Sequence, residues 1–147
     1  MIRRTLLAAL IVLLALAPNA RAQTQPQGGS IGIRLVDAPA DRRSDPRAQT
    51  YIVDHLHQGA TITRHIEISS SVQKPTSVQL YVAAATLDNG EFKFGEGRAE
   101  NDLTDWSKVD PPTVSVPANG KVQAAVTIAV PANATDGERY GVIWAEL

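Results

Sequence analysis

Histidine is the residue type in this sequence with the clearest capacity for metal chemistry. His55 and His57 lie in the run Asp54-His-Leu-His57, where alternation would place both imidazoles on one face of a strand. A third ligand could come from Asp54, Asp45 or Glu67, but no spacing singles out one of these carboxylates. We therefore interpret the two histidines as polar residues at a strand edge and turn, and we predict no metal site.

The carboxylates and the serines do not form a recognisable catalytic arrangement. Five carboxylates lie between residues 96 and 110. They lack the Asp-x-Asp-x-Asp-Gly spacing of a calcium loop, so we interpret this segment as a solvated acidic loop. The sequence has no Gly-x-Ser-x-Gly turn and no cysteine, which excludes two common nucleophile settings and any disulfide. We therefore predict that the protein is not an enzyme and uses no cofactor.

The best candidate for a binding site is the polar segment of residues 89–112, which is predicted to connect strands. Binding residues often lie in such connections, because a rigid scaffold holds them at the surface. The indole of Trp106 could stack on a sugar ring. Hydrogen bonds to hydroxyl or amide groups could come from its neighbours Asp105, Asn101 and Arg98. The alternative is that Trp106 caps one end of the domain, since most tryptophans bury most of their area.

The segments that would position these residues alternate apolar and polar side chains with a period of two. Such alternation is typical of strands that have one buried face and one wet face. The clearest segments are residues 31–36, 61–69, 78–85, 121–130 and 139–144, and shorter candidates are residues 50–53, 91–94 and 113–116. Turn residues such as Asn89-Gly90 and Asp136-Gly137 separate them. No segment after residue 22 has a helical pattern, so the sequence predicts an all-β sandwich.

Two aromatic residues of the last predicted strand are assigned to the fold. Tyr140 opens this strand four residues after Asp136. Immunoglobulin-like sandwiches often carry a corner tyrosine at this point, whose hydroxyl bonds to upstream backbone. Trp144 shares its alternation phase with Val142, so we predict that its side chain lies in the core.

The order of the predicted strands indicates a sandwich with an unpaired edge. Residues 139–146 read as strand F, and strand G of such a domain would lie beside them. The sequence leaves no residues for strand G. We therefore predict an immunoglobulin-like antiparallel β-sandwich without its last strand. Its open edge would accept another strand by β-augmentation, unless residues 31–36 or 50–53 close it.

The first 22 residues have the order of segments of a secretory signal peptide. Arg3 and Arg4 precede an apolar run of 12 residues, and Ala20-Arg21-Ala22 supplies the small-x-small pattern for cleavage. A bilayer span needs about 20 apolar residues, so we predict export and no membrane span. Residues 23–30 read as a flexible linker, which assigns residues 31–147 to one domain.

The charge of the mature chain argues against nucleic acid as a partner. Without the three arginines of the leader, 11 basic and 15 acidic residues remain, a formal charge of −4. A mildly acidic domain gains no attraction from a phosphate backbone or from anionic lipid. We therefore predict that the protein does not bind nucleic acid.

Several blocks of the sequence, taken together, carry a resemblance to a known protein family. The early blocks are Tyr51-Ile-Val-Asp-His-Leu56, Gly59 and Thr61-Ile-Thr-Arg-His-Ile-Glu67. The later blocks are Val78-Gln-Leu-Tyr-Val-Ala-Ala84, Trp106 and Val130-Pro-Ala-Asn-Ala-Thr-Asp-Gly-Glu-Arg-Tyr-Gly-Val-Ile-Trp144. Their order and spacing, from about Gly32 to Leu147, resemble the peptidoglycan-binding domain of WxL-interacting proteins.

The resemblance implies an exported protein of the Gram-positive cell surface whose immunoglobulin-like domain binds the cell wall. Family members usually continue into a second domain and a C-terminal membrane anchor, which this sequence does not include. We therefore expect a secreted, non-enzymatic module that binds peptidoglycan or another cell-wall component. The alternative is a structural or protein-interaction domain, a truncated piece of a larger surface adhesin or scaffold, which pairs with another surface protein through the open sheet edge.

Overall fold

Alternation of β-branched and polar residues produces eight strands in the part of the chain that this computed structural model describes, residues 29–37, 44 and 46–147. The strands are β1 (Ile31–Leu35), β2 (Thr61–Ser70), β3 (Thr76–Asp88), β4 (Glu91–Phe94), β5 (Ser107–Asp110), β6 (Thr113–Val116), β7 (Lys121–Ala129) and β8 (Tyr140–Glu146). The same residues contain one short helix, α1 (Asp102–Trp106), and a 3₁₀ turn (Pro46–Gln49).

The strands form two antiparallel sheets that pack face to face. The first sheet has the order β1-β2-β7-β5. The second is built around β3, which pairs with β4, β6 and β8. The first order corresponds to strands A, B, E and D of an immunoglobulin-like domain, and β3 and β8 correspond to C and F. No strand of the described residues lies at position G beside β8. The predicted immunoglobulin-like antiparallel β-sandwich is confirmed.

The core lies between the two sheets and is made mainly of β-branched side chains. Ile68, Val78, Val116 and Val126 are its largest fully buried residues, and they come from β2, β3, β6 and β7. Ile68 and Val116 lie on the inward phase of strands whose other phase carries polar residues, as the period of two predicts. Burial of such side chains is the main favourable term in folding and stabilises the sandwich without disulfides.

The helix α1 corrects the prediction that residues 96–110 are a solvated loop and that no helix follows residue 22. Asn101 caps α1: its side chain accepts a hydrogen bond from the Thr104 amide, and the Thr104 hydroxyl accepts one from the Asn101 amide. Asp102 and Asp105 occupy the first turn, where negative charge favours a helix. The helix has five residues, which is too short for a 3.6-residue periodicity to be visible.

The short strand predicted at residues 50–53 is also wrong. The amides of Thr50 and Tyr51 donate to the Arg47 carbonyl at 3.0 and 2.9 Å, and the Thr50 hydroxyl donates to the Pro46 carbonyl. These bonds continue the preceding 3₁₀ turn and engage the amides of Thr50 and Tyr51, and residues 50–53 form no strand. This segment therefore does not close an edge of either sheet.

The predicted signal peptide and most of the predicted linker lie outside the described residues. Within the described part, the amide of Ser30 donates to the Ser71 hydroxyl at 2.8 Å, and β1 begins at Ile31. Among these residues there is no helix with the length and apolar character to cross a membrane.

Candidate functional site

The four residues predicted from the loop do not form one cluster. Asn101 is the helix cap described above, and its side-chain amide also donates to the Tyr140 carbonyl at 2.9 Å. Asp105 is exposed on α1. Arg98 lies elsewhere, with its guanidinium carbon 3.9 Å from the centre of the Tyr81 ring. Asn101 therefore has a structural role, and Arg98 belongs to a different surface.

The indole of Trp106 is partly covered by a basic side chain. The guanidinium carbon of Arg139 lies 4.7 Å from the centre of the indole ring. Arg139 is held there by Asp102 at 3.0 Å and by the Thr135 hydroxyl at 2.8 Å. A cation over the ring occupies one of the two faces on which a sugar would stack. These contacts favour the alternative interpretation, in which Trp106 caps the end of the sandwich.

A larger aromatic surface lies on the outer face of the second sheet. The sequence has seven aromatic residues, two Trp, three Tyr and two Phe, and all except Trp106 belong to this surface. We call it the aromatic face, and its members are Tyr51, Tyr81, Phe92, Phe94, Tyr140 and Trp144. Tyr81 is on β3, the two phenylalanines are on β4, and Tyr140 and Trp144 are on β8.

Strand register brings these residues to one side of the sheet. Residues directly opposite in a β-ladder point to the same face. Tyr81 is opposite Trp144, and Ala85 is opposite both Phe94 on β4 and Tyr140 on β8. Tyr51 reaches the same surface from the segment before β2 and stacks on Phe92, with ring centres 5.8 Å apart.

The position of Trp144 corrects the prediction that it lies in the core. Ile143 and Ala145 pack against the core, and Trp144 points outward with 36% of its surface exposed. Val142, Ile143 and Trp144 are consecutive apolar residues, so the alternation of β8 has no polar phase there to identify the outer face.

Two alanines of β3 lie beneath the rings. Ala83 and Ala85 are on the outward phase of β3, yet only 0% and 4% of their surfaces are exposed. Phe94 from β4 and Trp144 from β8 meet across β3 edge to face, with ring centres 5.6 Å apart. Small residues in the central strand leave room for rings from both neighbouring strands to lie over it. The aromatic face is therefore a packed layer and not a set of isolated side chains.

Much of this layer remains accessible to a ligand. Phe94 is 54% exposed, Tyr51 46% and Phe92 39%, and Leu87 beside them is 44% exposed. Soluble proteins seldom expose contiguous apolar surface unless it contacts a partner or ligand. Tyrosine, tryptophan and arginine are also the residues that most often dominate binding energy.

Polar groups border the aromatic face at both ends. At one end, an Nη of Arg98 donates to Gln79 Oε1 at 2.9 Å, and the guanidinium covers one side of the Tyr81 ring. Partial burial, together with the negative charge of Glu146, raises the pKa of the Tyr81 hydroxyl. Hydrogen-bond donors and acceptors therefore lie next to the exposed rings.

At the other end, Tyr140 differs from the predicted backbone-bonded corner. Its hydroxyl donates to the Glu138 carboxylate, and this bond, with partial burial, raises the pKa of the Tyr140 hydroxyl. Its ring meets Phe92 edge to face, with centres 5.7 Å apart. Tyr140 is thus a member of the aromatic face and not a backbone clamp.

The outer face of the first sheet has the opposite character. Glu67 accepts from Arg34 at 2.9 Å and from Lys121 at 3.0 Å, and these bonds lower the pKa of Glu67 to about 2. Thr63 and Thr127 are hydrogen-bonded across β2 and β7 at 3.2 Å. Charged and hydroxyl side chains of this kind are typical of a solvated face. The contrast identifies the second sheet as the candidate binding side.

The two histidines of the Asp54–His57 run do not form part of a group of metal-ligating side chains among the described residues. His55 and His57 are exposed in a segment without regular secondary structure. Throughout the described residues, no three His, Cys, Asp or Glu side chains are grouped as a metal site would require.

Comparison with known proteins gives limited information. No protein-family model matches this sequence, and no curated protein matches it. One similar solved structure is the ASH/PapD-like domain of human CEP192 (PapD-like domain 7). It is 12% identical, with a TM-score of 0.42, and the match covers 82% of this chain and 74% of that one.

Proposed function

We propose that this protein is an exported, non-enzymatic module that binds peptidoglycan or another glycan of the cell wall through the aromatic face. The observation that carries the proposal is the exposed ring layer around Phe94 and Trp144 on the outer face of the second sheet. The signal-peptide pattern of residues 1–22 and the resemblance to the peptidoglycan-binding domain of WxL-interacting proteins support the same compartment and ligand class.

The chemistry of the aromatic face suits a glycan. Sugar rings present apolar C–H faces bordered by hydroxyl groups, and exposed aromatic rings can contact the C–H faces while the bordering polar groups contact the hydroxyls. Arg98 and Gln79 supply a donor and an acceptor at the edge of Tyr81. The N-acetyl amides and carboxylates of peptidoglycan could bond to the same groups.

A sedimentation assay with insoluble peptidoglycan tests this function. Trp144→Ala and Phe94→Ala remove the two rings that meet across β3, and we expect each to weaken sedimentation about tenfold or more. Thr63→Ala on the outer face of the first sheet is the matched control, and it should sediment like the unmodified protein. Thermal melts of all three variants check that each is folded.

The wall preparation should be used with and without its attached polymers. Sedimentation that requires the polymers would identify them as the ligand in place of peptidoglycan itself. If Trp144→Ala, Phe94→Ala and Thr63→Ala all sediment equally, or if the unmodified protein remains in solution, the aromatic face does not bind the wall.

Protein interaction is the second candidate function. The specific observation that favours it is the edge of β8, which has no partner strand among the described residues. Unpaired strand edges are common sites of strand addition by another polypeptide.

A further inference from the structure

The direction of the backbone hydrogen bonds in β3 identifies which groups of β8 are unpaired. The amide of Ala84 donates to the Ala99 carbonyl at 2.7 Å, and the Ala84 carbonyl accepts from Gly95 at 3.0 Å. The amide of Leu80 donates to the Pro112 carbonyl at 2.8 Å. The even-numbered residues of β3 therefore direct their backbone groups away from β8, and the odd-numbered residues direct theirs toward it.

The register then determines which residues of β8 direct their backbone groups away from β3. Tyr81 is opposite Trp144 and Ala83 is opposite Val142, so Trp144 and Val142 exchange backbone bonds with β3. The residue between them, Ile143, directs its amide and carbonyl to the other side. Gly141 and Ala145 do the same. No strand of the described residues pairs with this side.

The side chains along this edge are apolar. Ile143 and Ala145 are partly buried against the core. Across the sandwich, β1 lies in contact with β8, and Ile33 of β1 is opposite the fully buried Ile68 yet is 40% exposed. Ile33 therefore leaves aliphatic surface exposed between β1 and β8. A ligand at this edge would contact both unpaired backbone groups and aliphatic side chains.

We propose that the outer edge of β8 is an acceptor site for an extended polypeptide segment that alternates apolar and polar residues. The amides and carbonyls of Gly141, Ile143 and Ala145 repeat every two residues, about 6.8 Å apart, a spacing that extended backbone reproduces. The proposal deepens the second candidate function, protein interaction, and does not depend on glycan binding by the aromatic face.

The geometry also specifies how the segment binds. All strand pairs in the described sheets are antiparallel, and we assign the same direction to the added strand. In that arrangement, its residue opposite Ile143 exchanges two hydrogen bonds with Ile143 and points its side chain toward the core. The apolar residues of the segment thus carry the backbone groups that bind β8, and their side chains cover the exposed aliphatic surface of Ile33.

Amide hydrogen exchange, measured by NMR on the purified chain, is the direct test. Without a ligand, the amides of Val142 and Trp144 should be protected, whereas those of Ile143 and Ala145 should exchange freely. The probe is a capped peptide that alternates valine and threonine, with a lysine at each end for solubility. Adding it should slow exchange at Ile143 and Ala145 by about tenfold or more.

Two N-methylated peptides provide matched controls. N-methylation of the valines removes the donors that face β8 and should abolish the effect, whereas N-methylation of the threonines alters the outward-facing groups and should preserve it. Equal behaviour of the two peptides would overturn the proposal, as would the absence of any slowing by the unmodified peptide.

Two further outcomes separate this proposal from the alternatives. Protection of Ile143 and Ala145 that grows with protein concentration in the absence of peptide would assign the edge to a second copy of the chain, and would overturn a separate segment as the occupant. Thr63→Ala should bind the peptide normally, because Thr63 lies on β2 in the other sheet, and the sedimentation assay tests the aromatic face separately.

Discussion

Replacing Ala83 with leucine tests whether the rings of the aromatic face are packed as a layer over β3. Ala83 is fully buried although it lies on the outer face of its sheet, opposite Val142. The rings of Phe94 and Trp144 meet across β3 near this position. A leucine side chain adds three carbon atoms at a position that has no exposed surface, so we expect the rings to move outward.

The expected decrease in the free energy of unfolding follows from the contacts that the rings lose. Overpacking of a closely packed site costs about 1–3 kcal/mol. Separating the edge-to-face pair of Phe94 and Trp144 forfeits about 0.5–1.5 kcal/mol of that contact. Because Phe94 is 54% exposed, its ring can move into solvent without displacing the core, which limits the cost. We therefore expect Ala83→Leu to reduce the free energy of unfolding by about 1–2 kcal/mol.

Urea denaturation monitored by tryptophan fluorescence and near-ultraviolet circular dichroism measures this change. Ala118→Leu is the matched control, since Ala118 is exposed in the turn between β6 and β7. We expect the control to change the free energy of unfolding by less than about 0.5 kcal/mol. Equal stability of Ala83→Leu and Ala118→Leu, with an unchanged near-ultraviolet spectrum, would refute the packed layer.

Two further predictions concern the ion pairs and Trp106. The pKa of Glu67 is lowered to about 2 from its ordinary 4.5 by its hydrogen bonds to Arg34 and Lys121, so its stabilising effect is complete above about pH 4.5 and is lost as pH falls toward 2. Thermal melts at low salt should therefore show Glu67→Gln less stable at neutral pH, with the difference shrinking across this range. Trp106→Ala should lower the free energy of unfolding by about 1–3 kcal/mol through lost burial and the lost contact with Arg139, and sedimentation with peptidoglycan should persist. A selective loss of wall binding at unchanged stability would instead assign the site to the α1 segment.

The period of two predicted the strands well because most of them have one polar phase. In β2, Thr63 and Glu67 mark the wet face, and the buried Ile66 and Ile68 mark the other. In β8 both sets of alternate side chains are apolar. The alternation therefore identified a strand but did not show which of the two sets faces the core. The choice between Ile143 and Trp144 as core residue depends on β3 and its register, which are contacts distant in the sequence.

A sequence signal for the aromatic face was nevertheless present. The run Glu91-Phe-Lys-Phe94 puts both phenylalanines on one phase of a short strand and charged residues on the other. The run Val82-Ala-Ala-Ala85 is apolar on both phases, which is typical of a strand covered on both sides. What the sequence could not reveal is that β4 and β8 flank β3, because pairing partners follow from topology and not from local pattern.

The two proposed sites have β8 in common, and this has a geometric consequence. Trp144 contributes its ring to the aromatic face, and its neighbour Ile143 contributes its backbone groups to the open edge. A strand bound to that edge would lie about 4.8 Å beyond β8 and would present its polar residues beside Val142 and Trp144. It would therefore extend the outer face of the second sheet by one strand on the side of Trp144. Any coupling between the ligand of the aromatic face and the segment at the edge would be reciprocal, so that each would alter the affinity of the other by the same factor.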